Sequence, residues 1–227
     1  MIFNDLAMII AAGGSGSRFS RTQNKLLAEY RGKTLLLHSL ETFLPVLPEK
    51  ALIVAAPADL LDEMRSIVDK ALPNNTIQWT TGGATRLASV ANALELVPAG
   101  CRMAAIHDAA RPLATVELLQ ELYQAADEVG GAIPGSAPVD TVKEIDSNGL
   151  ICKNLVRSSL AMVATPQVFR LQEYRQSLQM LPQDVITGKR EEKLLTDDAA
   201  FFTEAGFKVK VVISSAPNPK ITYIQDI

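Results

Sequence analysis

The stretch Leu6-Ala7-Met8-Ile9-Ile10-Ala11-Ala12-Gly13-Gly14 decides the fold of this 227-residue chain. It is an unbroken apolar run, without the alternation of a half-exposed strand, and two glycines end it. Such a run suits a short strand buried on both faces, the condition of a parallel sheet covered by helices on either side. No basic segment precedes it, so it is expected to be a first strand and not the apolar centre of a secretory leader. Similar short runs recur at residues 51–55, 77–81, 103–106, 131–134 and 208–213. Helical spacing fills the gaps: Leu61, Met64, Ile67, Val68 and Ala71 follow a capping Asp59, and Leu87, Val90, Ala91, Leu94 and Val97 share one face. Thr115 is placed to cap a further helix and Thr196 a later one, with Asp197 and Asp198 at the positive end of its dipole and Gly206 at its left-handed end. Strands alternating with amphipathic helices imply right-handed crossovers, hence an α/β fold with a mainly parallel central sheet flanked by helices.

One segment departs from the alternation. Residues 141–146 and 150–156 are strand-like, and Ser147-Asn148-Gly149 between them is a hairpin signal, because Asn and Gly tolerate positive φ. A two-stranded ribbon is marginal alone, so this β-arm, at about residues 139–157, is expected to be covered by a second copy of the chain in a homodimer. The remainder reads as one domain spanning residues 1–227.

Hydrophobic residues at 48% and charged residues at 21% describe a chain that buries a core. With 22 Lys and Arg against 25 Asp and Glu, the formal charge of −3 provides no overall basic field for nucleic acid or an anionic membrane. An anionic ligand therefore has to be held locally. Cys101 and Cys152 form no CxxC pair, which argues against a zinc site or a disulfide framework and suits a reducing, cytoplasmic compartment. No apolar run approaches membrane-spanning length.

Four groups of residues could carry chemistry. The loop from Ala11 through Gly14 to Arg18, followed by Lys25, sits at the carboxyl end of the first strand, where glycine backbone N–H groups can approach phosphate oxygens while Arg18 and Lys25 supply cations. A plain strand-to-helix turn accounts for the same residues. The Walker pattern and the dinucleotide fingerprint both fail on spacing. Gly82-Gly83-Ala84-Thr85-Arg86 repeats the strand-glycine-helix arrangement, and Arg86 and Ser89 share a helical face away from the apolar stripe, which makes either a polar pocket wall or a surface. His107-Asp108-Ala109-Ala110-Arg111-Pro112 follows another strand; Asp108 there could hold Mg²⁺ beside substrate phosphates or pair with Arg111, and His107 reads as a packed neighbour. The last group comprises Asp140-Thr141, Arg157, Thr165-Pro166-Gln167, Thr196-Asp197-Asp198 and Asn218-Pro219-Lys220-Ile221-Thr222, each alone a turn, cap or surface. With two histidines, no G-x-S-x-G elbow and no H-E-x-x-H, histidine-based nucleophilic or zinc catalysis has little material.

Taken together and in order from Ala11 to Thr222, AAGGSGSRF with Lys25, GGATRLASV, HDAARP, DTVK, Arg157 with ATPQ, LTDDA and NPKIT resemble the 2-C-methyl-D-erythritol 4-phosphate cytidylyltransferases. The resemblance implies a Rossmann-like fold, a homodimer through the arm, and transfer of CMP from CTP to a sugar-alcohol phosphate with release of pyrophosphate. By position it implies nucleotide contacts at Ala11, Ala12, Gly13, Gly14, Arg18, Lys25, Gly82, Gly83, Ser89, Asp108 and Ala109. It implies acceptor contacts at Asp108, Arg111, Thr141, Arg157, Thr165 and Lys220, a catalytic set of Arg18, Lys25, Arg157 and Lys220, and Mg²⁺ at Asp108. Because the arm exchanges between protomers in that family, Thr141 and Arg157 are expected to serve the partner's site. The family's Pro-Lys-Gln is here Asn24-Lys25-Leu26, which removes a polar neighbour but keeps the lysine. Ribitol 5-phosphate cytidylyltransferase shares most of these motifs, and a nucleotide-sensing module without turnover is the alternative of another class.

Overall fold

A computed structural model describes residues 2–13, 24–190, 192, 195–214 and 216–227. The chain begins with β1 (Leu6–Ala11), a small hairpin of β2 (Glu29–Tyr30) and β3 (Lys33–Thr34), and helix α1 (Leu35–Phe43). There follow β4 (Leu52–Ala56), α2 (Leu61–Ala71), β5 (Gln78–Thr81), α3 (Arg86–Leu94), β6 (Met103–Asp108), α4 (Val116–Val129) and β7 (Gly130–Ser136). The arm strands β8 (Lys143–Ile145) and β9 (Ile151–Asn154) come next, then β10 (Met162–Val163), β11 (Gln167–Arg170), α5 (Leu171–Met180), α6 (Gln183–Ile186), α7 (Asp198–Glu204) and β12 (Lys208–Ile213). The main sheet has the order β10-β7-β11-β6-β1-β4-β5, with β12 also paired to β7.

The β1 run is as buried as its composition demands: Leu6 to Ile10 are fully enclosed, flanked in parallel by β4 and β6. Register aligns Ala11 with both Ala55 and Asp108, so the carboxyl ends of three strands finish side by side. Two strands run the other way. β11 is antiparallel to both β6 and β7, and β10 to β7. The sheet is therefore mixed but mostly parallel, as expected, and the two reversed strands, β10 and β11, are not among the runs that the sequence marks as strands. The effect of β11 on the site is large, because an antiparallel strand starts where its parallel neighbours stop. Thr165-Pro166-Gln167 is thereby delivered to the carboxyl end of β6, with Gln167 opposite Ile106.

Two expected caps are corrected. Helix α2 begins after Leu60 with no side-chain cap, so Asp59 does not cap it. Helix α7 is capped by Asp197, whose carboxylate accepts the Ala200 N–H at 3.1 Å, and not by Thr196. Asp198 lies at the positive end of the helix dipole as expected, as the first helical residue, and is completely buried. Thr115 caps α4 as expected, accepting from Leu118 N, and Gly206 takes φ +89° after α7. The arm is a hairpin with Gly149 at φ +80°, its strands shorter than the expected 141–146 and 150–156, with Asp146 N–H donating to Leu150 O at 2.9 Å beyond their ends.

Beyond β6 the core is aromatic. Phe169 packs 4.7 Å from the Phe202 ring and 5.1 Å from Tyr174, joining β11 to α5 and α7. Gly131 of β7 permits this: a Cβ there would lie 2.8 Å from Phe169 Cδ1. Replacing Phe169 by Ala should remove about 3–5 kcal/mol of stability through lost burial and a residual cavity, read as a lower urea midpoint at unchanged slope.

Candidate functional site

The site is built where β1, β4 and β6 end. Gly82, just past β5, donates its N–H to Ala56 O at 2.7 Å, and Ala12 donates to Ala55 O at 2.9 Å, fixing the two glycine segments side by side. A Cβ on Gly13 would lie 2.9 Å from Ser89 Oγ, and one on Gly82 would lie 3.6 Å from Gly13 Cα. Only glycine allows so close an approach. Gly83 is tighter still, since a Cβ there would clash with Ala88. The Ser89 hydroxyl is wholly engaged, accepting Gly83 N–H at 3.0 Å and donating to Thr85 O at 2.8 Å. It lies buried in α3, not on an open polar face, because it secures the glycine turn. Gly14 and Arg18 lie outside the described residues.

Asp108 is the last residue of β6 and the centre of the charge arrangement. Its Oδ1 accepts Arg86 Nε at 3.0 Å and its Oδ2 accepts Lys220 Nζ at 2.7 Å. Arg111 Nε stands 4.0 Å from Oδ2, so the expected partner of Asp108 is a neighbour while Arg86 and Lys220 make the bonds. Sequence alone leaves Arg86 as either a pocket wall or a surface residue. Arg86 bridges two carboxylates, its Nη1 reaching Asp198 Oδ2 at 2.5 Å. Asp198 in turn accepts the Tyr174 hydroxyl at 2.6 Å. Burial alone would push the Asp108 carboxyl up, but the charges of Arg86 and Lys220 outweigh it and hold the group well below the usual carboxylate range. Burial also opposes the charge on Arg86, and Asp198 and Asp108 more than offset that, leaving its guanidinium charged.

A second set of bonds ties the late motifs to this point. Thr165 Oγ1 accepts Asp108 N–H at 3.0 Å, Asn218 Nδ2 donates to Thr165 O at 2.8 Å, Arg111 Nη1 donates to Asn218 O at 2.7 Å, and Ile221 N donates to Ala110 O at 2.9 Å. Lys25 Nζ stands 3.4 Å from Ile221 O, which places it beside the same C-terminal segment. Leu26, where a polar neighbour was noted as missing, is in the core instead, with Asn24 Oδ1 accepting its N–H at 3.0 Å. Arg86, Asp108, Arg111, Thr165, Gln167 and Lys220 line a cavity of about 240 Å³. Among the described residues, Arg86 Nη2 and Arg111 Nε are buried donors with no hydrogen-bond partner, a deficit that an anion would fill. Thr141 and Arg157 are on the arm and are not brought to this cavity within the chain; Arg157 donates Nη1 to Val139 O at 2.8 Å.

Among the described residues no group of three or more His, Cys, Asp or Glu side chains could hold a metal. Asp108 is left as a single carboxylate with both oxygens already bonded by cations.

His107 is fully enclosed, 5.4 Å edge-on from Phe43. Its partners select one tautomer: Thr165 donates to Nδ1 across 3.1 Å and Nε2–H faces Arg111 O at 3.3 Å. Burial lowers its pKa from 6.5 to about 4, so it is a neutral structural spacer at neutral pH, as expected from sequence.

Glycine-lined backbone at the strand ends, beside fixed guanidinium and ammonium groups, makes a setting for an anionic ligand in a mostly parallel α/β sheet. Comparison with known proteins makes this specific. The chain matches the family described as 2-C-methyl-D-erythritol 4-phosphate cytidylyltransferase over residues 6–227, and it belongs to that family. Relatives so named include those of Microcystis aeruginosa, 35% identical over 95% of this chain and 92% of that protein, and of Lysinibacillus sphaericus, 34% identical over 97% and 91%. Among solved structures, 4-diphosphocytidyl-2C-methyl-D-erythritol synthase of Anaerococcus prevotii superposes with TM-score 0.80 at 26% identity, covering 98% of this chain and 94% of that one. The Francisella tularensis cytidylyltransferase does so with TM-score 0.76 at 26% identity, covering 98% and 96%.

The His107 environment predicts a pH dependence. The unfolded imidazole takes up its proton near pH 6.5 and the folded one only near 4, so stability is full above 6.5 and falls as the pH drops between these values. The loss should approach about 3 kcal/mol by pH 4. Thermal unfolding from pH 7 to 4.5 should show this slope, and His107→Gln should flatten it.

Proposed function

We infer that the protein transfers the cytidylyl group of CTP to 2-C-methyl-D-erythritol 4-phosphate, giving 4-diphosphocytidyl-2-C-methyl-D-erythritol and pyrophosphate, a step of non-mevalonate isoprenoid biosynthesis. The observation that carries this reading is the joining of Asp108, Arg111, Thr165 and Lys220 into one bonded cluster beside the Gly13/Gly82 turn, in a chain matched by the family over nearly its whole length. An acceptor phosphate oxygen attacks the α-phosphorus in line, the new P–O bond forms as the α–β bridging bond breaks, and pyrophosphate departs with that bond's electrons. No covalent enzyme intermediate is required. The protein's task is to position negative groups and offset their charge.

In this reading Ala11, Ala12, Gly13, Gly14, Gly82, Gly83 and Ala109 offer backbone to the nucleotide, and Ser89 keeps the Gly83 turn in shape for it. Arg18 and Lys25 offset charge developing on the triphosphate. Lys220, Arg111 and Thr165 orient the acceptor phosphate. Asp108 would be the residue to hold a magnesium ion, through lone pairs that Arg86 and Lys220 leave open, and such an ion would supply charge neutralisation beside the phosphates.

The arm supports a dimeric reading. Val139 is 81% exposed and Val156 67%, with Ile145, Leu150 and Ile151 also outward, a larger apolar surface than a lone ribbon keeps in water. A second chain covering it would carry Thr141 and Arg157 to the neighbouring acceptor site. Among the described residues no helix is long and apolar enough to cross a membrane, and an exposed Cys152 thiol suits a reducing cytoplasm.

Purified protein with CTP, Mg²⁺ and methylerythritol phosphate should release pyrophosphate, and should do so faster than with ribitol 5-phosphate; no release at high enzyme concentration would overturn the reading. Lys25→Ala should abolish turnover with an unchanged circular dichroism spectrum. Lys220→Ala should lower kcat/KM for the acceptor by roughly a hundredfold or more.

A further inference from the structure

Behind the cavity, the line of bonds Tyr174, Asp198, Arg86, Asp108, Lys220 runs from the aromatic core to the half-exposed ammonium of Lys220, with charges alternating after the phenol. Its inner members do not reach the cleft. Tyr174 is completely buried, 5.3 Å edge-on from Phe201, and Asp198 is completely buried at the start of α7. Asp198 is held on three sides: Tyr174 donates to Oδ1, Arg86 to Oδ2, and its own N–H donates to Gln167 Oε1 at 3.1 Å. Gln167 also donates Nε2 to Asp197 Oδ2 at 2.9 Å and sits on β11 opposite Ile106, so the carboxylate is fixed relative to the sheet and not to α7 alone. An ion this deeply buried is costly unless it is fully bonded, and a core of this size can be filled without one. Its position is informative: it grips the guanidinium whose other edge grips Asp108.

We propose that Asp198 and Tyr174 are positioning residues for the acceptor half of the reaction, aligning Arg86 so that Asp108, and through it Lys220, is fixed before the acceptor phosphate arrives. This rests on the reading of the reaction given above. The preference for the acceptor half follows from the bonding: of the groups assigned to the nucleotide, Asp108 is the one that Arg86 holds, whereas the acceptor groups Asp108 and Lys220 both hang on it. The nucleotide turn is held by Gly82 N to Ala56 O, Gly83 N to Ser89 Oγ and Ser89 Oγ to Thr85 O, and none of these involves the Arg86 side chain. The cavity wall formed by Asp108, Arg111, Thr165 and Lys220 does depend on it through Asp108. Tyr174 keeps its proton, because burial and then the Asp198 charge both push its pKa well up, so it acts as a permanent donor.

The test compares Asp198→Asn and Tyr174→Phe with wild type, using Phe202→Leu as a control that perturbs the same aromatic layer outside the relay. KM for methylerythritol phosphate should rise about tenfold to a hundredfold in Asp198→Asn, and less in Tyr174→Phe, with KM for CTP within about twofold of wild type. The control should lower Tm and leave both KM values alone. A parallel rise in both KM values, or no change in either, overturns the proposal. Should Asp198→Asn fail to fold, the Tyr174→Phe split decides. A second readout needs no turnover: the Arg86 Nε–H proton, assigned by its loss in Arg86→Lys, should exchange slowly with water in wild type and faster in both variants. Unchanged exchange overturns the positioning role, whereas a wild-type enzyme that releases no pyrophosphate would sink the assigned reaction and leave the exchange comparison to decide the relay.

Discussion

The site depends on one compensated carboxylate. Asp108 ends a fully buried strand, where an isolated charge would be intolerable, and it stays ionised because Arg86 and Lys220 bond its two oxygens. Removing one partner from such a buried pair costs about 3–5 kcal/mol, much of it for the charge left behind. The cluster must therefore form as a unit. Once it forms, it fixes the relative placement of α3, β6, the start of β11 through Thr165, and the C-terminal segment through Lys220.

Topology supplies the convergence. Parallel β1, β4 and β6 bring Ala11, Ala55 and Asp108 to one line, and the following loops inherit that position. Antiparallel β11 contributes its beginning to the same end at which the others finish, so residues near position 165 meet residue 108 across the shortest path. The aromatic layer of Phe169, Tyr174, Phe201 and Phe202 is the mechanical backing: it fills the space behind β6 and carries the one phenol that reaches Asp198.

How much of this was legible from sequence follows from the range of the forces. Buried strands announce themselves by continuous apolar runs, so β1 was readable almost to the residue; β12 was bounded by its β-branched residues although most of it is exposed, and Asn148-Gly149 marked the arm turn because positive φ is a local demand. A four-residue strand is too short to stand out: Gln167-Val168-Phe169-Arg170 is not marked as a strand, and nothing in it specifies its antiparallel pairing with β6 and β7. Caps failed where two candidates stood adjacent, as at Thr196 and Asp197. In the site, Asp108, Thr165 and Lys220 were found by motif, while the role of Arg86 was missed because its partner Asp198 lies 112 positions away. The available signal was the charged pair Asp197-Asp198 at a helix start. An exposed cap needs one carboxylate, and a second one turned inward has to meet a cation.

Unfilled donors explain why the cluster suits an anionic ligand while the whole chain is acidic. Arg86, Arg111 and Lys220 carry three positive charges against the carboxylates of Asp108, Asp197 and Asp198, so the cluster is balanced, and what it offers an anion is the buried Arg86 Nη2 and Arg111 Nε, which have no hydrogen-bond partner among the described residues. Of the three cations Lys220 is the most exposed, at 38%, and Arg111 the least, at 14%. An incoming phosphate can share or take over the Lys220 bond from Asp108 while the Arg86 bond remains, so one contact rearranges and the rest of the lattice stays in place. Donors already aligned before the ligand arrives contribute to binding and to charge stabilisation without the cost of ordering them at that moment. A surface lysine pair would lack this property. Its side chains would first have to be immobilised in water, where each such contact is worth about 1 kcal/mol or less.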